Sequence, residues 1–257
     1  MPIPSALDVR RPPDRRKQDL PARYRARVLA VFPGQIERIV VFGSRARGEP
    51  HAESDWDFAV FFRHPPGEAE SSKLAEVDWE VGQSFGCLIQ SLDFPREGWL
   101  ARSELACNIR DHGLIIYGPN DVPRIKRPVM QHARAALTKA ERLAELSAET
   151  PDDRFEGVIH GAYYAMFHAS RGALLAVEGS ASAKHGRAVD AFVGMVKWRF
   201  RAEAAAHAAA LLRAYRFRIE ADYGDEDLTE VGRRLRNRVA PFIAFCRGLV
   251  EEAADRS

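Results

Sequence analysis

The sequence predicts an α+β domain built on a small mixed sheet, followed by an all-α helical bundle. Two observations separate the halves. As far as Asn120, short apolar runs rich in β-branched and aromatic residues alternate with stretches of helical periodicity. Beyond Asn120–Pro128 the chain turns Ala-, Leu-, Arg- and Glu-rich, and only the helical period persists. Length agrees, since 257 residues suit two modest domains. The expected organisation is a basic N-terminal arm over residues 1–17, a first domain over 18–122 and a helical bundle over 123–257.

The arm carries Arg10, Arg11, Arg15, Arg16 and Lys17 among prolines, with no apolar core of a secretory signal. Leu20, Tyr24, Val28 and Phe32 then recur at helical spacing, and Pro33-Gly34 stops that helix. Ile39-Val40-Val41-Phe42 is too short for a helix and reads as a strand buried on both faces. Asp55–Phe62 is a second strand, closed by His64-Pro65-Pro66-Gly67. Leu74, Val77, Val81 and Phe85 mark a helix running into Gly86, Cys87–Phe94 a third strand, Ser103–His112 a helix and Leu114–Tyr117 a last short strand. In the second half the helices fall at 128–149, 153–178, 184–200, 202–223 and 226–253, the last with an expected kink at Pro241.

Charge and cysteine usage narrow the classes. The 38 basic and 36 acidic residues leave +2, with 16 basic against 18 acidic residues before Pro123 and 22 against 18 from it onwards. Neither half has the basicity of a dedicated nucleic-acid domain. Cys87, Cys107 and Cys246 are too few and too scattered for a disulfide framework or a Cys-rich zinc site. No apolar run approaches the ~18 residues of a membrane span, so the expectation is a cytoplasmic protein with no membrane partner.

The chemistry concentrates where the first strand ends. It runs into Gly43-Ser44, and ten residues later comes Asp55-Trp56-Asp57. Two residues apart on a strand, Asp55 and Asp57 project from one face, leaving Trp56, Phe58, Val60 and Phe62 to anchor the other. Paired carboxylates repel unless a cation lies between them, and an all-oxygen site of this kind suits Mg²⁺ shared with substrate phosphates. Gly43 lets backbone approach a ligand, and Ser44 offers its N–H and hydroxyl to phosphate oxygens. These are the parts for metal-assisted attack on a nucleotide α-phosphate with in-line loss of pyrophosphate.

The stretch IVVFGSRARGEPHAESDWDFAVFF resembles the Gly-Ser-x10-Asp-x-Asp signature of minimal nucleotidyltransferases in the polymerase-β-like superfamily. The resemblance, over roughly residues 20–120, implies Asp55 and Asp57 as Mg²⁺ ligands and catalytic residues, and Gly43 and Ser44 as the turn holding the triphosphate of ATP or another NTP. Arg45 and Arg47 follow that turn, either reaching phosphates or standing as surface arginines. Fuller members carry a third carboxylate on a later strand. Here the inward position falls at Leu88 or Gln90; Asp93, near the strand's far end, is the candidate third carboxylate, and Asp78 lies on the preceding helix.

The second half has its own resemblance. GAYYAMFHASRGALLAVEG, AKHGRAVDAF and RIEADYGDED resemble the HEPN family of helical bundles, which accompany minimal nucleotidyltransferases as fused domains or neighbouring toxins. Active members of that family are RNases with an Arg-x(4–6)-His motif. The corresponding segment, Arg236-Asn237-Arg238-Val239-Ala240-Pro241, has Pro241 in place of the His. The Arg45/His51, Arg127/His132, Arg154/His160 and Arg201/His207 pairs match what composition alone gives. His160 and His168 read as half-buried structural residues, and Tyr223 as a residue closing the bundle by packing.

Together the resemblances imply Mg²⁺-dependent transfer of a nucleotidyl group, AMP from ATP foremost, to a hydroxyl of a protein or small molecule. A toxin–antitoxin context and a homodimer formed through the helical domain follow from the same family. Two other readings stay open: a non-catalytic nucleotide-binding regulator, and a HEPN-type RNase with RNA as its partner.

Overall fold

The computed structural model describes residues 19–48, 54–199 and 202–256. The basic arm, His51 and Arg201 lie outside the described residues. In chain order the elements are α1 (Leu20–Val31), β1 (Ile36–Phe42), a single helical turn α2 (Gly43–Ala46), β2 (Trp56–Phe62), α3 (Glu68–Phe85) and β3 (Ile89–Pro95). A 3-10 turn (Arg96–Leu100), α4 (Glu104–His112) and β4 (Leu114–Tyr117) complete the first unit. The second consists of α5 (Val129–Glu149), α6 (Phe155–Glu178), α7 (His185–Arg199), α8 (Ala202–Tyr223) and α9 (Thr229–Asp255). The division into two compact units falls between Arg127 and Pro128.

The sheet is mixed, in the order β3-β2-β1-β4. β1 runs antiparallel to β2 and β4, while β2 and β3 are parallel, with α3 as their crossover. One face packs Ile39, Val41, Trp56, Phe58, Val60 and Phe62 against Leu20, Tyr24 and Val28 of α1 and Leu74, Val77 and Val81 of α3. The other face packs Val40, Ala59 and Phe61 against Trp99 and Ile109 of α4. Both central strands are therefore covered on two sides, which is why they read as unbroken apolar runs.

A buried polar network locks the first face. The Tyr24 hydroxyl donates to Asp78 Oδ1 at 2.9 Å and lies against Ser91 Oγ, while the Ser91 backbone N–H donates to Asp78 Oδ2 at 2.9 Å. Asp78 thus ties α1, α3 and β3 together.

In the helical unit α6 is buried on most of its circumference, with Ile159, Ala162, Tyr163, Met166, Ala169, Ser170 and Ala173 all at 0% exposure. The sequence stripe marked one face; small residues open a second. A Cβ at Gly161 would meet Ser147 Cβ at 2.8 Å, and one at Gly172 would meet the Ala133 carbonyl oxygen at 2.9 Å, so α5 packs directly on the α6 backbone. Leu235, Val239, Phe242, Cys246 and Leu249 of α9 are buried as their spacing predicts. Pro241 lies inside α9, which continues as one helix from Thr229 to Asp255. Packing of the flanking Val239 and Phe242 outweighs the missing N–H of the proline. Tyr223 is 85% exposed, so it does not close the bundle by packing. No helix among the described residues is long and apolar enough to cross a membrane.

Candidate active site

The candidate site forms where β1 gives way to α2. Phe42 and Asp57 are cross-strand partners, which sets Gly43 directly beside the Asp57 side chain. Gly43 has φ of 75°, a left-handed conformation that costs a residue with a Cβ roughly 1–2 kcal/mol. Space is tighter still: a Cβ there would come within 2.9 Å of Asp57 Cγ and closer to Oδ2. Backbone and carboxylate thus approach each other only because residue 43 is glycine.

Asp57 is half-buried on the sheet face opposite Trp56. Its carboxyl is raised above the usual carboxylate range, first by burial and then by the neighbouring negative charge of Asp55; the Arg47 guanidinium works in the opposite direction. Burial and a neighbouring carboxylate both disfavour the charged form of Asp57. The donor set fits a hard divalent ion that completes its shell with phosphates and water. Among the described residues no group of three or more His, Cys, Asp or Glu gathers as a metal cluster.

The two arginines after the turn separate. Arg47 is exposed and lies within electrostatic reach of Asp57. Arg45 instead turns to the other face, where its guanidinium lies 4.5 Å from the centroid of the Trp56 ring and its Nε donates to the Ser54 carbonyl at 3.0 Å. That clasp holds the chain just ahead of the carboxylate pair. Neither the stacking nor the clasp had a sequence signal beyond the presence of the two residues.

The candidate third carboxylate is not brought to the pair. In the parallel register Asp57 sits beside Gln90, whereas Asp93 sits beside Val60, a residue of the opposite, α1/α3-covered face. Asp93 accepts a hydrogen bond from Ser71 Oγ of α3 at 2.8 Å. Strand alternation decides this: an odd offset of three from Gln90 places the two side chains on opposite faces. Asp78 points into the Tyr24–Ser91 network on that same far face, and its pKa is raised, chiefly by burial. The Gln90 amide of β3 and the exposed Leu88 just ahead of that strand are what stand next to the pair.

In the helical unit Arg236 is committed to structure, donating to Asp152 Oδ1 at 2.8 Å and to the Thr150 carbonyl. His160 pairs with Asp222 at 2.9 Å.

Residues 28–121 match the family described as "Polymerase beta, Nucleotidyltransferase". Among solved structures, spectinomycin adenyltransferase AAD(9) from Enterococcus faecialis, solved with ATP and spectinomycin, aligns over 86% of this chain and 98% of its own, at a TM-score of 0.50 and 14% identity. A toxin–antitoxin structure solved with AMP-PNP aligns over 38% of this chain and 73% of that one, at a TM-score of 0.31 and 18% identity. None of the curated proteins compared with the chain is a match. The mixed sheet and the glycine turn that opens beside Asp57 accordingly belong to a polymerase-β nucleotidyltransferase domain, which occupies residues 28–121.

Proposed function

We propose that the first unit transfers a nucleotidyl group, AMP from ATP foremost, to a hydroxyl group, using Mg²⁺ held by Asp55 and Asp57. The observation that carries this reading is the contact between the Gly43 backbone and the Asp57 carboxylate, with Asp55 close enough to raise the Asp57 pKa. Mg²⁺ supplies charge neutralisation at the α-phosphate and at the departing pyrophosphate. Gly43 and Ser44 take the triphosphate against the backbone of the turn. Arg47 adds positive charge at its exposed side. Arg45, clasped to Ser54 and Trp56, is a positioning residue for the Asp55 segment rather than a phosphate ligand.

The carboxylate pair orients the donor phosphate; the proton of the attacking hydroxyl has no carboxylate base on β3, where Gln90 stands beside Asp57. That same observation favours a second reading, in which the unit binds nucleotide without turning it over. The acceptor is a protein or a small molecule; a chain of this fold solved with spectinomycin makes the small molecule the first to try. A HEPN-type identity for the second unit, a toxin–antitoxin setting and pairing of two copies through that unit remain parts of this proposal.

The test is transfer of label from α-³²P-NTPs, with intact-protein mass spectrometry, using the wild-type chain and the Asp55→Asn/Asp57→Asn double variant, with and without lysate as acceptor source. Label on the chain or an acceptor that disappears in the variant supports transfer. Nucleotide binding without transfer moves the reading to a regulator, and absence of both removes it.

A further inference from the structure

Part of the sheet face that carries Asp57 is left open, and its chemistry differs from that of the carboxylates beside it. Trp99 and Ile109 of α4 cover Val40, Ala59 and Phe61 on this face. Of β3 this layer reaches Phe94, and the residues ahead of Phe94 are open. Strand alternation sends Ile89, Ser91 and Asp93 to the α1/α3 side, where Ile89 is buried, Ser91 meets Asp78 and Asp93 meets Ser71. The residues between them face the other way. Leu88 and Leu92 are 55% and 40% exposed, and Gln90 between them is exposed too. Register sets this strip against the carboxylate end: Gln90 sits beside Asp57 and Leu92 beside Ala59, and the Trp56 N–H donates to the Leu88 carbonyl at 3.0 Å.

Two leucines flanking an amide make a ledge about 13 Å long that carries no charge of its own. Asp93 lies on the other face, and the first charges beyond Phe94, Arg96 and Glu97, come after the strand has ended and pair with each other at 3.7 Å. A lone exposed leucine needs no explanation, whereas two in line beside a carboxylate pair mark a surface with something to cover. An ammonium group laid along them would lose water and gain no partner. An added polypeptide strand fits this edge less well than a small molecule does. The Ser91 backbone N–H is already taken by Asp78 Oδ2, so a ladder on the outer side of β3 would be interrupted there.

We propose that the acceptor of the first unit is a small molecule whose hydroxyl is carried by an uncharged, apolar body. The body lies along Leu88 and Leu92, and the Gln90 amide orients the hydroxyl beside Asp57. This rests on the nucleotidyl-transfer reading and narrows it. The acceptor oxygen forms the new bond to the α-phosphorus, and the bond from that phosphorus to the bridging oxygen of the β-phosphate breaks. Pyrophosphate leaves with the electron pair, and the hydroxyl proton passes to water. Leu88 and Leu92 select the acceptor and take no part in these bond changes. An amine-bearing acceptor such as spectinomycin is held poorly.

The experiment uses the full chain with Mg²⁺ and two matched probes. These are para-butylbenzyl alcohol and para-(aminopropyl)benzyl alcohol, a near-isostere with an ammonium in place of the terminal methyl; spectinomycin is a third. Transfer of label from α-³²P-ATP is followed for each, and binding is read separately with AMP-PNP from the Gly43 amide and the Leu88 and Leu92 methyl resonances. The neutral alcohol should be labelled at least about tenfold faster than its ammonium counterpart and than spectinomycin, the scale on which an apolar site discriminates. It should also move both leucine methyls. Leu92→Glu should reverse the preference between the matched alcohols, and Leu88→Glu, at the more exposed position, should do the same; a retained Gly43 response shows that each variant is folded. A Gly43 amide unmoved by Mg²⁺ and AMP-PNP removes the nucleotidyl-transfer reading and this proposal with it. A Gly43 response with unmoved leucine methyls, equal or faster labelling of either amine, or an unchanged preference in both variants overturns the proposal alone. Methyl shifts without transfer to the neutral alcohol overturn its role as acceptor.

Discussion

Gly43 meets two demands at once, a left-handed backbone and an absent side chain against Asp57. Gly43→Ala should displace the carboxylate by a fraction of an ångström to about an ångström, and misplacement on that scale costs on the order of 100-fold in transfer rate. A labelled-nucleotide assay beside a thermal melt separates this from simple unfolding, since the backbone term alone is roughly 1–2 kcal/mol. Asp57 gives a second residue-scale prediction. Its folded pKa is raised, so the folded state holds that proton more tightly than the unfolded chain does. The contribution is therefore present at low pH and is lost as pH rises from the ordinary carboxylate value of about 4 through the raised one. In metal-free buffer near pH ~7, Asp57→Asn should melt at a higher temperature than wild type, and added Mg²⁺ should stabilise the wild type only. Equal melting of the two proteins in EDTA would remove the repulsion from the account.

At the scale of the element, β3 decides what can sit next to the carboxylates. Its parallel register places Gln90 at Asp57 and sends Asp93 to Ser71 on the other face. Gln90→Glu should strengthen the Mg²⁺-dependent shift in melting temperature, whereas Asp93→Asn should leave it at the wild-type value; the reverse ranking would show the register to be wrong. This element also marks where the sequence stops being legible. Asp57 lies on β2 and Asp55 directly ahead of it, the strand starting at Trp56, one residue later than expected, so the period of two assigns a face within the strand to Asp57 but not to Asp55. The pairing of Asp57 with Gln90 depends on the length of α3 and the way it returns the chain, which local pattern does not encode. The helices of the second unit begin and end close to their predicted limits because Gly179 and Pro151 punctuate the chain at those points. The near-complete burial of α6 was not legible, since it depends on which neighbours exploit Gly161 and Gly172. The turn of Arg45 towards Trp56 is of the same kind, a contact between residues eleven apart across a loop.

For the whole molecule, each unit carries its own apolar core, one around Phe58, Val60 and Tyr24 and the other around Met166, Phe192 and Phe242. Calorimetry should resolve two unfolding transitions, and Mg²⁺ with nucleotide should raise the one belonging to residues 19–127. A single transition that moves as a whole would tie the units together. The four tryptophans give this arrangement an optical consequence. Trp79 and Trp198 are 70% and 85% exposed, while Trp56 and Trp99 are buried, each beneath an arginine. Iodide should extinguish the emission of the first two and spare the others, and of those Trp56 sits between the two aspartates in sequence. Cation capture next to that indole should then register as a change in unquenched fluorescence, giving a label-free gauge of occupancy in the native chain.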